Sequence, residues 1–252
     1  MSEIRVETEK RVMTITLNRA AKKNAITDAM YGDIAAALTQ AAGDPAVGAV
    51  LIRGEGPDFC AGNDISMFAA SAAGESDIAK SNVGPFLHAL STFPKALVAA
   101  VTGRAIGIGV TMLLHCDLVY VAGDAQLGTP FIDLGLVPEA GSALLMPARI
   151  GHVRSFALFA LGERLTGAEA AALGIANAAL PSAEVGAAAL AAARLVANKP
   201  ASAVAATKRL MRDAEAIQAA MAADRDAFIR QLGTPEAAAA FAAFAARKGP
   251  PV

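Results

Sequence analysis

The sequence predicts an α/β fold with a helical C-terminal region, and three observations support this prediction. Apolar segments typical of buried parallel strands recur as AVLIRG, ALVAAVTG and DLVYVA. Helical periodicity occupies the stretches between these segments, which is the alternation that builds a parallel sheet covered by helices. From about Ser182 onward the strand pattern stops and Ala-rich helical segments follow.

The N-terminal segments EIRVETEK and RVMTITLN alternate apolar with polar residues, which predicts a hairpin of half-buried strands. A helix follows, with Thr27 or Asp28 as its N-cap, and it ends before GDPAVG. The strand AVLIRG and the Gly-rich loop GPDFCAGND come next. The apolar residues of the helix repeat at helical spacing: Met30, Ile34, Ala37, Leu38 and Ala41.

A second helix is predicted around Ile78 to Leu90, and Phe93-Pro94 leads from it into the strand ALVAAVTG. After GRAIGIG we expect a short buried helix and then the strand DLVYVA. The C-terminal segments SAEVGAAALAAARLVANK, PASAVAATKRLMRDAEAI and TPEAAAAFAAFAARK predict helices separated by Pro and Gly. These helices form either a cap on the core or an oligomerising region. The predicted division is a core over residues 1–195 and a helical region over residues 196–252.

Composition disfavours several functional classes. The 22 Lys and Arg against 23 Asp and Glu give a net charge of −1 without a long basic run, so no nucleic-acid partner is expected. Cys60 and Cys116 are too few for a disulfide framework and lack zinc-site spacing, which fits a reducing cytosol and no metal. No run approaches a membrane span, and the N-terminus lacks the apolar core of a signal peptide. The expected location is cytoplasmic, without a membrane partner.

The adjacent His115 and Cys116 do not predict a nucleophile and base pair, since neighbouring side chains point to different sides of a helix or strand. Glu139 is the more informative residue, because it lies in the small and apolar run LGLVPEAGSALL. Two interpretations are open from the residues alone. Pro138 and Gly141 fit an exposed turn before a helix, whereas a buried carboxylate would have the raised pKa of a proton-transfer catalyst.

Two Gly-bearing loops follow buried strands, at FCAGNDI and GRAIGIGVT. The second contains Gly107-x-Gly109, but the third glycine of a dinucleotide-binding fingerprint falls on Met112, and no P-loop is present. Each turn could direct a backbone N–H group into one pocket, and two converging N–H groups form an oxyanion hole. The alternative is that the glycines serve only tight packing.

The sequence resembles the crotonase, or enoyl-CoA hydratase/isomerase, family over essentially its whole length. The matching landmarks are ITLNRAAKKNAI, FCAGNDI, the segment from PKALVAAVTG to LGLVPEAG, LTGAEAAALGIAN and KPASAVAATKRLM. The resemblance implies a spiral core of ββα units with a C-terminal helical trimerisation region. It also implies homotrimers that often pair into hexamers. The implied substrate is an acyl-CoA thioester, with coenzyme A as part of the substrate and no separate cofactor.

The resemblance implies that the N–H groups of Asn63 and Ile108 hold the thioester oxygen. It places substrate-binding residues around them: Ala61, Gly62, Asp64, Ile65, Gly107, Thr111 and Phe131. Basic residues expected near the CoA phosphates are Lys22, Lys23, Arg247 and Lys248.

Thr111 and Phe131 occupy the positions where the family's hydratases carry two glutamates. Neither residue can replace a carboxylate as acid or base, which disfavours efficient hydration. Glu139 matches the single acidic residue of the family's Δ3,Δ2-enoyl-CoA isomerases, so the resemblance predicts an isomerase of the fatty-acid type with Glu139 as proton shuttle. The alternatives are a weak or atypical hydratase, a ring-acyl-CoA isomerase, and an acyl-CoA-binding protein without catalysis.

Overall fold

The computed structural model describes residues 2–64, 67 and 80–246. The strands within this range are β1 Ile4–Glu9, β2 Val12–Leu17, β3 Ala49–Gly54, β4 Ala96–Val101, β5 Arg104–Ile106, β6 Leu118–Ala122, β7 Gln126–Gly128, β8 Arg164–Thr166 and β9 Ala178–Leu180. The α-helices are α1 Asp28–Gly43, α2 Val83–Thr92, α3 Ile108–Thr111, α4 Ser142–Ile150, α5 His152–Ala160, α6 Gly167–Ala172, α7 Ser182–Ala197, α8 Ala201–Met211, α9 Ala214–Leu232 and α10 Pro235–Ala246. Short 3-10 helices cover Ala20–Lys22, Met112–His115 and Ile132–Leu134.

The main sheet has the strand order β1-β2-β3-β4-β6-β9. The hairpin β1-β2 is antiparallel, and every later pairing in this sheet is parallel. Strand β4 is buried along its whole length, as its continuous apolar run predicts. The α/β prediction is therefore confirmed, and so is the N-terminal hairpin.

A second sheet, of order β5-β7-β8, lies beyond the end of β4. Its strands are three residues long each, which is too short for a periodic sequence pattern to predict them. The sheet carries the chain from β5 directly into Gly107 and the short helix α3. It thereby fixes the position of the second Gly-bearing loop.

The helix predicted around Ile78 to Leu90 begins later than expected. Residue 78 lies outside the described residues, and within them the helix α2 begins at Val83 and ends at Thr92. The side chain of Asp28 accepts hydrogen bonds from the backbone and side-chain N–H groups of Asn82, both at 2.7 Å. This contact between distant parts of the chain fixes where the helix starts, and local periodicity cannot reveal it. Thr27 is the N-cap of α1, and it is one of the two residues predicted for this position.

The C-terminal helices cover the core of their own chain. Helix α7 packs across β3, β4 and β6 through a face of small residues at helical spacing, Val185, Ala189, Ala193 and Ala197. Helix α9 packs against α2 and α4, and α10 packs on the 3-10 helix at 132–134. None of the described helices is both long enough and apolar enough to span a membrane. The division at residue 195 stays a prediction.

Candidate active site

The first Gly-bearing loop is attached to the segment before α1 by a parallel bridge between Ile26 and Asn63. The Ile26 N–H donates to the carbonyl oxygen of Gly62 at 2.9 Å, and the Asp64 N–H donates to the carbonyl oxygen of Ile26 at 2.8 Å. In this pattern the Asn63 N–H points away from the bridge, and within the described residues it has no acceptor. Gly62 has φ +98°, a conformation that favours glycine.

The second loop is attached to the first through Cys60. The Cys60 N–H donates to Arg104, and the Ile106 N–H donates back to Cys60, both at 2.9 Å. Gly107 follows with φ 56° and ψ −117°, a conformation that in practice only glycine adopts. The next residue, Ile108, opens helix α3, and its N–H also has no acceptor among the residues that the structure describes. Two N–H groups without an acceptor among the described residues therefore lie on adjoining loops.

Gly109 is needed where the loops touch. A Cβ atom at this position would lie 2.8 Å from the carbonyl oxygen of Cys60 and 3.0 Å from its Cβ. A Cβ at Gly62 would similarly lie 3.2 Å from the carbonyl oxygen of Ile106. The glycines thus permit the two backbones to approach closely. The same close approach also determines where the N–H groups of Asn63 and Ile108 lie.

Tyr31 contacts the first loop through a side-chain hydrogen bond. Its hydroxyl donates a hydrogen bond to Oδ1 of Asn63, and its ring packs against Phe86 with ring centres 4.9 Å apart. Complete burial raises the pKa of Tyr31 well above its usual value, and the nearby Glu139 carboxyl adds to the effect. Sequence reasoning missed this residue, because a single aromatic on the apolar face of α1 is typical of an ordinary core position.

Glu139 is buried, with 8% of its surface exposed, so the exposed-turn interpretation is wrong. The Thr111 hydroxyl on α3 donates a hydrogen bond to its Oε1 at 2.9 Å. Burial raises the pKa of Glu139 to about 7, the hydrogen bond from Thr111 lowers this pKa in part, and the Asp224 carboxylate raises it further. The structure therefore joins Glu139 directly to the helix that begins at Ile108.

The turn after Glu139 is held on two sides. Ala140 has φ +60° and Gly141 has φ +71°, so the chain reverses sharply here. The carbonyl oxygen of Ala140 accepts a hydrogen bond from Nε2 of His115 at 2.7 Å. On the other side α9 approaches so closely that a Cβ on Gly141 would lie 3.0 Å from Cγ of Met221.

The pairing of His115 with Cys116 as nucleophile and base is excluded by their surroundings. Nδ1 of His115 accepts from the guanidinium of Arg212 at 3.2 Å, and burial lowers the pKa of His115 to about 4. Burial raises the pKa of the Cys116 thiol to about 12. A neutral imidazole with both nitrogens occupied and a protonated thiol cannot act as base and nucleophile.

The remaining predicted residues lie in different surroundings. Phe131 is buried, and its Cε1 lies 3.9 Å from where a Cβ of Gly107 would be, so its ring lies beside the second loop. The carboxylate of Asp64 pairs with the Arg19 guanidinium at 2.6 Å. This ion pair ties the end of the first loop to the segment after β2.

The predicted phosphate ligands are only partly described. Lys22 is exposed and Lys23 is half-buried. The Lys23 carbonyl oxygen accepts from the Ala61 N–H at 2.9 Å, so the basic pair adjoins the first loop. Ile65, Arg247 and Lys248 lie outside the described residues.

The raised pKa of Glu139 predicts a pH-dependent stability cost. In the folded protein the proton is held up to a pH of about 7, whereas the unfolded carboxyl ionises near 4.5, so stability falls as pH rises between these values. At about 1.4 kcal/mol per pH unit, the full penalty above pH 7 is about 3 kcal/mol. We therefore expect Glu139→Gln to raise the free energy of unfolding at pH 8 and to leave it nearly unchanged at pH 4.5. Urea denaturation at both pH values measures this; an equal change at both would contradict it.

Comparison with known proteins gives consistent matches. A family model described as enoyl-CoA hydratase/isomerase matches residues 7–251. Enoyl-CoA delta isomerase 2 of Rattus norvegicus is 38% identical over 181 residues, which are 71% of this chain and 46% of that protein. The chain thus spans about half the length of this relative.

Two further matches cover more of the compared protein. The 2,3-dehydroadipyl-CoA hydratase of Escherichia coli is 34% identical over 184 residues, 72% of this chain and 70% of that protein. The structure of Pseudomonas aeruginosa OdaA superposes with a TM-score of 0.94 and 45% identity, covering 98% of this chain and 100% of that one. The relatives carry both isomerase and hydratase names, so the matches leave the reaction open.

Proposed function

Because the chain belongs to the enoyl-CoA hydratase/isomerase family of crotonase-like enzymes, we propose that it moves the double bond of a 3-enoyl-CoA to the 2-enoyl position. The observation that carries this proposal is Glu139, a buried carboxylate that bonds to Thr111 three residues after Ile108. At its first residue the same helix α3 thus presents an N–H group that has no acceptor in the described part of the chain, and at its last residue it holds the carboxylate.

In the proposed reaction the thioester oxygen lies between the N–H groups of Asn63 and Ile108. Removal of the proton at C2 converts the thioester into an enolate and moves negative charge onto this oxygen. Preorganised N–H donors stabilise that charge, and one such donor typically contributes about 10²–10³ in rate. That both groups lack an acceptor in the described part of the chain supports this role.

Glu139 acts as base and then as acid. Its carboxylate takes the C2 proton, and the electron pair of the broken C2–H bond is delocalised in a dienolate. The C3–C4 π pair then forms a bond to the proton that the carboxyl returns at C4, and the pair left at C2 becomes the C2–C3 double bond. Nothing is oxidised or reduced, and Glu139 ends in its starting state. A pKa of about 7 suits both steps, because at neutral pH the group is ionised in a large fraction of molecules and is still a strong enough base.

Hydration is the weaker proposal. It requires one group to activate water and another to protonate C2, and the two positions that carry glutamates in the family's hydratases hold Thr111 and Phe131. The Thr111 hydroxyl already donates to Glu139, and Phe131 is buried and cannot transfer a proton. A single carboxylate is sufficient for a proton shift within one molecule, whereas addition of water normally uses two.

The test is to incubate the protein separately with trans-3-hexenoyl-CoA and with crotonyl-CoA and to follow the absorbance of the conjugated enoyl thioester. We expect absorbance to rise with the first substrate and to stay nearly constant with the second. A fall with crotonyl-CoA alone would identify a hydratase. Binding of both thioesters without turnover would favour an acyl-CoA-binding protein, and turnover confined to ring-containing acyl-CoA would favour a ring-acyl isomerase.

The coenzyme part of the substrate is proposed to lie along the basic pair Lys22 and Lys23. Their position next to Ala61 supports this, because a coenzyme bound along these lysines would have its thioester end close to the adjoining first loop. Arg247 and Lys248 are proposed to contact the CoA phosphates as well.

The assembly is proposed to be a homotrimer or a dimer of trimers. Large apolar side chains are exposed at the end of α8, where Leu210 is 89% and Met211 is 79% exposed. Single exposed apolar residues are common, but two adjacent ones this open favour a covered interface.

The assembly proposal predicts the effect of charges at this site. We expect the double variant Leu210→Glu, Met211→Glu to have a smaller particle mass in light scattering than the wild type, whose mass should be three or six times 25.4 kDa. The double variant Ser202→Glu, Ala203→Glu adds the same charge to exposed positions of the same helix and serves as control. A wild type of 25.4 kDa would refute the assembly.

A further inference from the structure

Helix α9 packs a stripe of buried residues against the turn at Ala140 and Gly141, which we call the Glu139 turn. The stripe consists of Ile217, Met221, Asp224 and Phe228, which repeat at spacings of four, three and four residues. Ile217 and Met221 lie directly against Gly141, since a Cβ there would lie 3.6 Å from the Ile217 carbonyl oxygen. Asp224 is the charged member of an otherwise apolar stripe.

Asp224 is an unusual residue for a helix face of this kind. It is 8% exposed, and its Oδ2 has no hydrogen-bond partner in the part of the chain that the structure describes. The backbone N–H groups of Ala143 and Gly141 face the carboxylate, at the start of α4. A buried carboxylate with one unsatisfied oxygen costs free energy, and an apolar residue would pack more favourably there.

No cation balances this charge within the described residues. Helix α9 packs against α2, α4 and α10, whose titratable side chains are His88, Arg149 and Glu236, and none of them forms an ion pair with Asp224. Arg149 instead donates to the carbonyl oxygens of Leu114 and Cys116.

The charge of Asp224 acts on Glu139. Tyr31 and Cys60 also interact electrostatically with Glu139, but both are neutral at pH 7 because burial raises the pKa of each. Burial raises the pKa of Asp224 to about 6, so its carboxylate is mostly ionised at neutral pH. Burial is the main cause of the raised pKa of Glu139, and among the described residues Asp224 is the acidic side chain whose charge raises it further.

We propose that Asp224 is a positioning residue, which holds the Glu139 turn through the N–H groups of Gly141 and Ala143 and sets the proton affinity of Glu139 by its charge. The inference rests on the proposed function, in which Glu139 is the proton shuttle. It assigns to the C-terminal helical region a part in catalysis within its own chain. The free energy lost by burying Asp224 is then explained by what its charge does to the shuttle.

The decisive variant is Asp224→Asn, which keeps the size and the acceptor oxygen but removes the charge. The pKa of Glu139 is read without substrate, by ¹³C NMR of the glutamate side-chain carboxyls, where Glu139→Gln identifies the resonance. We expect the titration midpoint of Glu139 to move to lower pH in Asp224→Asn, because ionising Glu139 no longer opposes a second negative charge. The pH profile of kcat should move in the same direction.

Asp226→Asn is the matched control, since it removes an exposed carboxylate from the same helix, and it should leave the midpoint unchanged. Asp224→Ala removes the contact with the turn as well. We expect it to lower kcat by about 10-fold to 10²-fold with little change in KM, which is the effect of a small misplacement of a catalytic group.

The outcomes separate this inference from the proposed function. An unmoved Glu139 midpoint in Asp224→Asn would overturn the inference even if the wild type is an active isomerase. Absence of wild-type turnover would refute the proposed function. The titration midpoint of Glu139 can still be measured in that case, because its measurement needs no substrate. If Asp224→Ala fails to fold, the isosteric Asn variant alone decides.

Discussion

Glu139→Gln is expected to lower isomerisation of 3-enoyl-CoA by at least about 10²-fold, the typical contribution of a positioned acid or base. The amide keeps the size of the side chain and can still accept the hydrogen bond from Thr111 at the position of Oε1. It cannot take a proton from C2. Because the lost interaction occurs mainly in the transition state, kcat should fall while the affinity for acyl-CoA changes little. Steady-state kinetics with trans-3-hexenoyl-CoA and calorimetric binding of a saturated acyl-CoA measure the two quantities.

Glu184→Gln is a suitable control, because it makes the same chemical change at an exposed position of α7. It should retain wild-type kinetics. Wild-type turnover in Glu139→Gln would show that another group moves the proton, and the proposed mechanism would then be wrong.

Gly109→Ala should have an effect of similar size, for a different reason. The new methyl group would lie 2.8 Å from the Cys60 carbonyl oxygen, which already accepts from Ile106, so the two loops must separate. Separation displaces the Ile108 N–H from the thioester oxygen, and loss of one such donor costs about 10²–10³ in kcat. Overpacking also costs stability, typically about 1–3 kcal/mol.

The measurement is kcat at a temperature where circular dichroism shows the variant to be folded. Gly43→Ala serves as control, because a Cβ at the end of α1 meets no atom of the described residues within 4 Å. A folded Gly109→Ala protein with wild-type kcat would mean that the Ile108 N–H does not contribute to an oxyanion hole and that Gly109 serves packing alone.

The sequence predicted those parts of the fold that depend on local periodicity. The hairpin β1-β2, the buried strands β3, β4 and β6 and the helix α1 all have a pattern long enough to recognise. The three-residue strands β5, β7, β8 and β9 do not. The start of α2 depends on Asp28, which is 54 residues away from Asn82 in the chain.

The candidate site was predictable only in part, for a related reason. Glycine turns mark where two backbones approach, so Gly62, Gly107 and Gly109 could be read from the sequence. Whether Glu139 is exposed could not be predicted, because Pro138 and Gly141 fit either interpretation. Helix α9, which packs against the turn after Glu139, lies about 80 residues further along the chain. Tyr31 and Asp224 carry no local signal, since each lies on the apolar face of a helix.

The bridges that hold the two Gly-bearing loops also bear on how the protein folds. They join residue 26 to residue 63 and residue 60 to residue 105, and Glu139 then depends on partners at 111 and 224. Contacts between such distant residues form slowly, because the intervening chain must first be ordered and its loop entropy lost. We therefore expect the site to assemble late in folding, after the hairpins and helices that depend on local contacts. A chain still lacking α9 on the ribosome already contains Asn63, Ile108 and Glu139, but not the helix that packs against the turn after Glu139.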